Sequence, residues 1–132
     1  MTWDRWVGSM DGRPVLWIKH LWHWRGFRLD LHKFEAADDP DCFHTHPAWA
    51  VRLVVWGGYW EEMEDGRRRL WWPGRFGIVA PELCHRVAGL RASRSISLWF
   101  RLPVSAPVRL RGAGWAQQAQ THRDPRTVLD VR

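Results

Sequence analysis

The sequence predicts a single all-β domain, and three observations carry that reading. Short runs rich in β-branched and aromatic residues recur at roughly the 8–12-residue spacing of sandwiches and barrels. Gly, Pro and Asp turn signals punctuate them, at Arg25-Gly26, Asp65-Gly66 and Pro73-Gly74. No segment holds a 3.6-residue apolar period over three turns, so helices have no sequence support. A length of 132 residues suits one core, and 45% apolar residues suffice to pack it.

The elements follow in order. Residues 15–24 (VLWIKHLWHW) are dense in β-formers and close at Arg25-Gly26. Residues 27–35 alternate, with Leu29, Leu31 and Lys33 on one face and Asp30, His32 and Phe34 on the other. The AADDPD cluster at 36–41 is a turn. Residues 49–56 form a strand ended by Gly57-Gly58, a bulge or sharp bend. A hairpin follows, from 59–64 through Asp65-Gly66 to 68–72. Strands at 76–80, 85–87 and 93–102 complete a core of about residues 14–111. The polar segment 112–132 is a tail or cap, holding at most a helical turn and a final strand at 127–131.

Composition excludes several classes. No run of 18 apolar residues marks a membrane helix. The opening MTWDRWVGSMDGRP shows no signal-peptide pattern. Two cysteines make no disulfide framework, so the expected compartment is a reducing cytoplasm. A net charge of +6 raises nucleic acid as a partner, but the arginines are scattered. Their one cluster, Arg67 to Arg69, sits at a hairpin tip. Neither nucleic acid nor membrane is expected. Twelve tryptophans suggest either core packing or an aromatic-lined pocket, with Trp49 and Trp99 as pocket walls.

Chemistry concentrates in residues 42–58, CFHTHPAWAVRLVVWGG. In extended backbone, His44 and His46 point the same way and offer two imidazoles to one metal ion, or else are two solvated loop histidines. His85 opens a later strand. Cys42 is a further candidate ligand or a buried small hydrophobe, and Cys84 should face away and pack. Glu61, Glu62 and Glu64, beside Arg67 to Arg69, read as a solvated cross-strand charge ladder. His20, His23 and His122 lack motif context and read as structural or surface residues.

The stretch HTHPAWAVRLVVWGG, a DG hairpin, and then WPGRFGIVAPELCHRV resembles the two motifs of the cupin superfamily. One is a strand that begins HxH and ends at glycine; the other is a Pro/Gly-rich turn shortly before a single His. A closer likeness is to small cysteine-dioxygenase-like cupins, through Leu31-His32, Asp39-Pro40-Asp41, His44-Thr45-His46-Pro47, Gly57-Gly58-Tyr59 and Glu61, over residues 27 to about 102. This resemblance implies a jelly-roll barrel around one divalent metal, with His44, His46 and His85 as ligands. The glutamate of a conventional cupin would stand five residues after the second His, where this chain has Val51. A three-His site remains chemically sound for Fe(II), the favoured ion, or for Zn, Ni, Mn or Cu.

On the same resemblance the expected activity is that of an Fe(II) oxygenase on a small organic substrate. Redox-neutral isomerase, cyclase or lyase chemistry and a non-catalytic binding barrel are the alternatives. His32 is then an acid/base, a fourth ligand or a hydrogen-bonded core histidine. Arg52 is a substrate anchor if it points inward, and Tyr59 a catalytic or wall residue. A homodimer is expected by resemblance.

Overall fold

The computed structural model describes residues 3–6, 15–112 and 128–130. They form twelve strands: β1 (Trp3–Trp6), β2 (Leu16–Trp24), β3 (Phe27–Phe34), β4 (Phe43–His44), β5 (Ala50–Trp56), β6 (Tyr59–Met63), β7 (Arg68–Trp71), β8 (Phe76–Val79), β9 (His85–Leu90), β10 (Ser95–Arg101), β11 (Arg109–Arg111) and β12 (Val128–Asp130). Two six-stranded sheets result, ordered β1-β2-β3-β10-β5-β8 and β12-β11-β4-β9-β6-β7. The pairings are antiparallel except β11 with β12. No helix among the described residues is long and apolar enough to cross a membrane.

Two turns show how the local sequence imposes this path. Arg25 and Gly26 both have positive φ, 47° and 86°, the twist that a two-residue link between β2 and β3 requires. Gly57 and Gly58, at φ 80° and 89°, carry the chain from β5 in one sheet to β6 in the other. A Cβ at Gly57 would stand 2.0 Å from the Arg94 carbonyl oxygen, and one at Gly58 2.3 Å from that of Trp71. The pair is therefore a sharp corner that tolerates no side chain.

Alternation then sorts the strands. In β5, Ala50, Arg52 and Val54 face inward, while Val51, Leu53 and Val55 face out. In β6, Tyr59, Glu61 and Met63 face inward. One end of the barrel is filled by Val15, Leu16, Phe34, Val54, Tyr59, Trp71 and Val87. Smaller clusters are Ala50, Val79 and Trp99, and Cys42, Val108 and Leu110. Among the described residues, most tryptophans do not line the interior. Trp71 and Trp99 are buried, but Trp22, Trp24, Trp49, Trp56, Trp60 and Trp72 are exposed. Phe76 and Ile78 on the outer face of β8 are more than 70% exposed, beside outward Val51 and Leu53 of β5, leaving an apolar sheet face open.

The loop before β4 is pinned to β9 through Asp38. Its backbone N–H donates to the Val87 carbonyl (2.8 Å), and its carboxylate accepts from the Val87 N–H (2.8 Å). Burial pushes the Asp38 carboxyl up from 3.8 to about 7, against the Val87 hydrogen bond and Arg86. A carboxyl whose pKa is higher folded than unfolded stabilises the fold while protonated. That contribution is complete below about pH 4 and disappears as pH rises to about 7. Asp38→Asn keeps an acceptor for the Val87 N–H and carries no charge. Denaturant midpoints across this range are expected to fall with pH in the wild type. In the variant that part of the slope, on the order of a few kcal/mol, should be missing. Parallel slopes would contradict the assignment.

Candidate metal centre

β4 is only two residues long, yet it fixes the first ligand pair. Thr45 N–H donates to the Arg109 carbonyl (2.9 Å), and the Thr45 hydroxyl accepts from Arg109 N–H (2.8 Å). With Thr45 tied to β11, its neighbours His44 and His46 turn the other way, into the barrel. His44 pairs directly with His85 across β4 and β9. Two residues apart on one segment and one register position across the sheet, the three imidazoles converge.

Their ligand-capable nitrogens all lie within 4.8 Å of one another, and His46 Nε2 is 2.8 Å from His85 Nε2. Donors at right angles around an ion, with bonds of about 2.1 Å, stand about 3.0 Å apart. Burial, then the neighbouring imidazoles, pushes the His46 pKa well below its usual value. Burial also lowers that of His85, against the pull of Glu61. Neutral imidazoles with free lone pairs are the form a metal requires. Chemistry and spacing both fit a divalent ion.

Glu61, read from the sequence as part of an exposed ladder, is fully buried and touches this centre. Its Oε2 accepts from His85 Nδ1 at 2.6 Å and from Arg52 Nη1 at 2.5 Å, and its Oε1 lies 3.2 Å from Arg69. Burial raises the Glu61 pKa, but the His85 bond and Arg52 more than reverse this and hold the carboxyl well below the usual range. An ionised carboxylate only accepts, so His85 carries its proton on Nδ1 and presents the Nε2 lone pair to its neighbours. The ladder is real one residue on: Arg68 and Arg86 bond Glu62 at 2.8 and 3.1 Å. The signal that separates the two acids is alternation from Tyr59 and Met63, which puts Glu61 inside.

The other expected site residues divide. Arg52 points inward, into the core, and is not part of the cavity wall. Its guanidinium lies 3.6 Å from the Trp71 ring centroid, donates to the Tyr59 hydroxyl (2.9 Å) and pairs with Glu61. Tyr59 is likewise buried, its phenol pushed up to about 12 chiefly by burial, and it is a packing partner of Arg52 with no face on the cavity. Trp49 is 46% exposed and outside the cavity wall. Cys42 packs with Val108 and Leu110, its thiol pushed up to about 12 by burial. The absent glutamate also moves. Val51 faces outward, 38% exposed, so no carboxylate there would reach the imidazoles, and the inward residue is its neighbour Ala50.

A cavity of about 290 Å³ opens beside the cluster, with His44 and His46 in its wall and His85 buried behind them. Trp99 and His32 also line it, stacked with centroids 4.7 Å apart. Burial, with His20 and Arg28 nearby, lowers the His32 pKa to about 3, so it is neutral at physiological pH. His32 stands outside the three-nitrogen group. Sequence reading set His20 aside, yet it lines the same cavity with Arg28, Asp30 and Arg101.

No protein-family model matches the chain, and no curated protein does. Solved structures do. A protein of Ralstonia eutropha provisionally assigned as a mannose-6-phosphate isomerase superposes with a TM-score of 0.61 and 22% identity, over 70% of this chain and 89% of that one. The Fe(II) form of HppE gives a TM-score of 0.61 at 12% identity, over 76% of this chain and 56% of that one. A double-stranded β-helix protein of Klebsiella pneumoniae gives 0.59 at 16%, over 78% and 94%. Sheet order, the Gly57-Gly58 corner and these superpositions agree: the chain adopts the cupin fold, a double-stranded β-helix.

Proposed function

We propose that this chain is a mononuclear metalloenzyme acting on a small organic substrate, and that Fe(II)-dependent oxygenation is its reaction. The observation that carries the proposal is the group His44, His46 and His85, with His85 set by Glu61 at 2.6 Å, at the wall of a 290 Å³ cavity. Among the described residues no carboxylate joins the three imidazoles, which suits an ion with several positions left for other molecules. Structural likeness to an Fe(II) protein favours iron. A bound metal ion would supply Lewis-acid or one-electron chemistry there.

The chain's own residues do the rest. Glu61 fixes the His85 tautomer. Trp99 and His32 give a flat wall against which an unsaturated or apolar group can lie, and the cavity limits the substrate to a small molecule. Redox-neutral chemistry on the same three ligands is the second reading, favoured by the likeness to a provisional isomerase.

Elemental mass spectrometry on protein purified without a His-tag, followed by oxygen-electrode measurements with small organic acids, tests the two. About one iron per chain and metal-dependent oxygen uptake are expected. About one Zn, Ni or Mn without oxygen uptake would move the assignment to redox-neutral chemistry. Failure to bind any metal after reconstitution would overturn both.

A further inference from the structure

We infer that the outer face of the first sheet is the contact surface for a second copy of this chain, the two faces packing against each other about a two-fold axis. The inference does not depend on which ion the barrel holds.

Strand register builds this face. Across β3, β10, β5 and β8, one row reads Leu29, Phe100, Val51 and Ile78. The next row along the strands reads Leu31, Leu98, Leu53 and Phe76. Alternation turns both rows outward, since Asp30, Trp99, Arg52 and Gly77, the residues between them on each strand, face the barrel interior. Stacking carries the first row past β3. The Phe100 ring centroid lies 6.0 Å from that of Phe27, and Phe27 lies 6.3 Å from Trp24. An antiparallel sheet with one solvated face ordinarily turns polar residues to the water. Neither row here holds a charge or a hydrogen-bonding side chain.

Exposure is greatest at the sheet edge. Phe76 and Ile78 are 71% and 72% exposed, Trp24 is 54% exposed, and Val51, Leu53 and Phe100 are each more than a third exposed. Among the described residues β8 ends its sheet, pairing only with β5. Its sequence, FGIV, carries no Lys or Pro to blunt that edge. An exposed apolar edge strand of this kind is a template for association unless another chain covers it.

Area and charge choose the occupant. With roughly 150–250 Å² on each aromatic side chain and somewhat less on each aliphatic one, these exposures leave on the order of 500 Å² of apolar surface on the face. Two such faces together hide about 1,000 Å², the size at which a specific protein interface begins. Nucleic acid or an acidic peptide would need cations in the two rows, and there are none. Charges stand at the margin instead, with Arg25 4.9 Å from the Trp24 ring centroid and Lys33 3.4 Å from Glu35. An apolar centre with a polar rim is the anatomy of a protein interface. A face with no charge and no donor or acceptor to satisfy is complementary to itself, as a two-fold contact requires. Val51 and Phe100 alternate on β5 and β10 with Ala50 and Trp99 of the cavity wall, so a partner here backs that wall.

Sedimentation equilibrium of the full chain tests this. At roughly 10 μM the wild type is expected at twice the 15.7 kDa chain mass. Ile78→Lys and Phe76→Lys put a charge on the face and should each raise the dimer dissociation constant at least about hundredfold. Both side chains lie mostly in solvent in the single chain, so the circular dichroism of each variant should match the wild type. Trp60→Lys, on the outer face of the other sheet, should leave the dimer intact. Salt gives a readout that needs no variant. Copies of net charge +6 joined by an apolar face should hold together as well or better at high salt. A monomeric wild type, a dimer indifferent to both lysines, or one that salt dissociates overturns the inference. Co-sedimentation of a monomeric wild type with phosphatidylcholine–phosphatidylglycerol vesicles would give the face to a lipid surface instead.

Discussion

Replacing His85 with alanine is expected to abolish stoichiometric metal binding, and replacing His44 should do the same. Loss of a partner that only orients a ligand weakens metal affinity by roughly 10–100-fold, and loss of a ligand itself should exceed roughly 100-fold. The two variants should differ in stability. His85 is 3% exposed and donates to Glu61, so His85→Ala opens a void and strips a hydrogen bond from a buried carboxylate. His44 is only partly buried, and its loss should lower the melting temperature less. His32→Ala is the control: His32 lines the cavity outside the three-nitrogen group and should leave metal content near wild type. Equilibrium dialysis of tag-free protein with elemental analysis measures all three. Full metal occupancy in His44→Ala and His85→Ala would remove the basis for this centre.

The all-β character and the pairing of His44 with His46 were legible because each rests on a local rule, while His85 was added by the family resemblance. Alternation, glycine at corners and the two-residue spacing of His44 and His46 need no knowledge of distant partners. What failed depended on phase or on partners far along the chain. Arg52 sits in an apolar strand whose inward direction is set only beyond the Pro47 bend, so its face was open, and its partner Glu61 lies on another sheet. Once inward, it had a carboxylate and a Trp71 face to satisfy it, and it turned from the cavity. Glu61 was hidden by its neighbours: Glu62 and Arg68 do form the ladder, and the acid between Tyr59 and Met63 looked like another rung. The tryptophans misled because size alone does not choose a face. Trp56, Trp60 and Trp72 fall on outward or corner positions of strands whose inward slots hold Val54, Glu61 and Trp71. His20 and Asp30 carried no motif. Only the β2–β3 register brings them together.

The buried pair of Arg52 and Glu61 yields the second large expected effect. Glu61→Gln removes the charge that balances Arg52, whose side chain is 1% exposed, and leaves an uncompensated guanidinium in the core. Breaking such a pair costs about 3–5 kcal/mol. It also takes from His85 its ionised acceptor, so metal affinity should fall roughly 10–100-fold. These losses have different origins and can be separated. In the double variant Arg52→Met, Glu61→Gln, no charge is stranded, and much of the stability should return. The weakened metal binding should persist, because the His85 tautomer is still unsupported. The pH dependence gives an independent check. Glu61 has a folded pKa below its ordinary 4.5, so its contribution is present above that value and lost as pH falls through and beneath it. Wild-type denaturant midpoints should therefore drop in acid more steeply than those of the double variant. If the double variant recovers metal affinity along with stability, Glu61 acts on the centre only by holding the barrel together. If affinity stays low while the fold is restored, the carboxylate acts through His85.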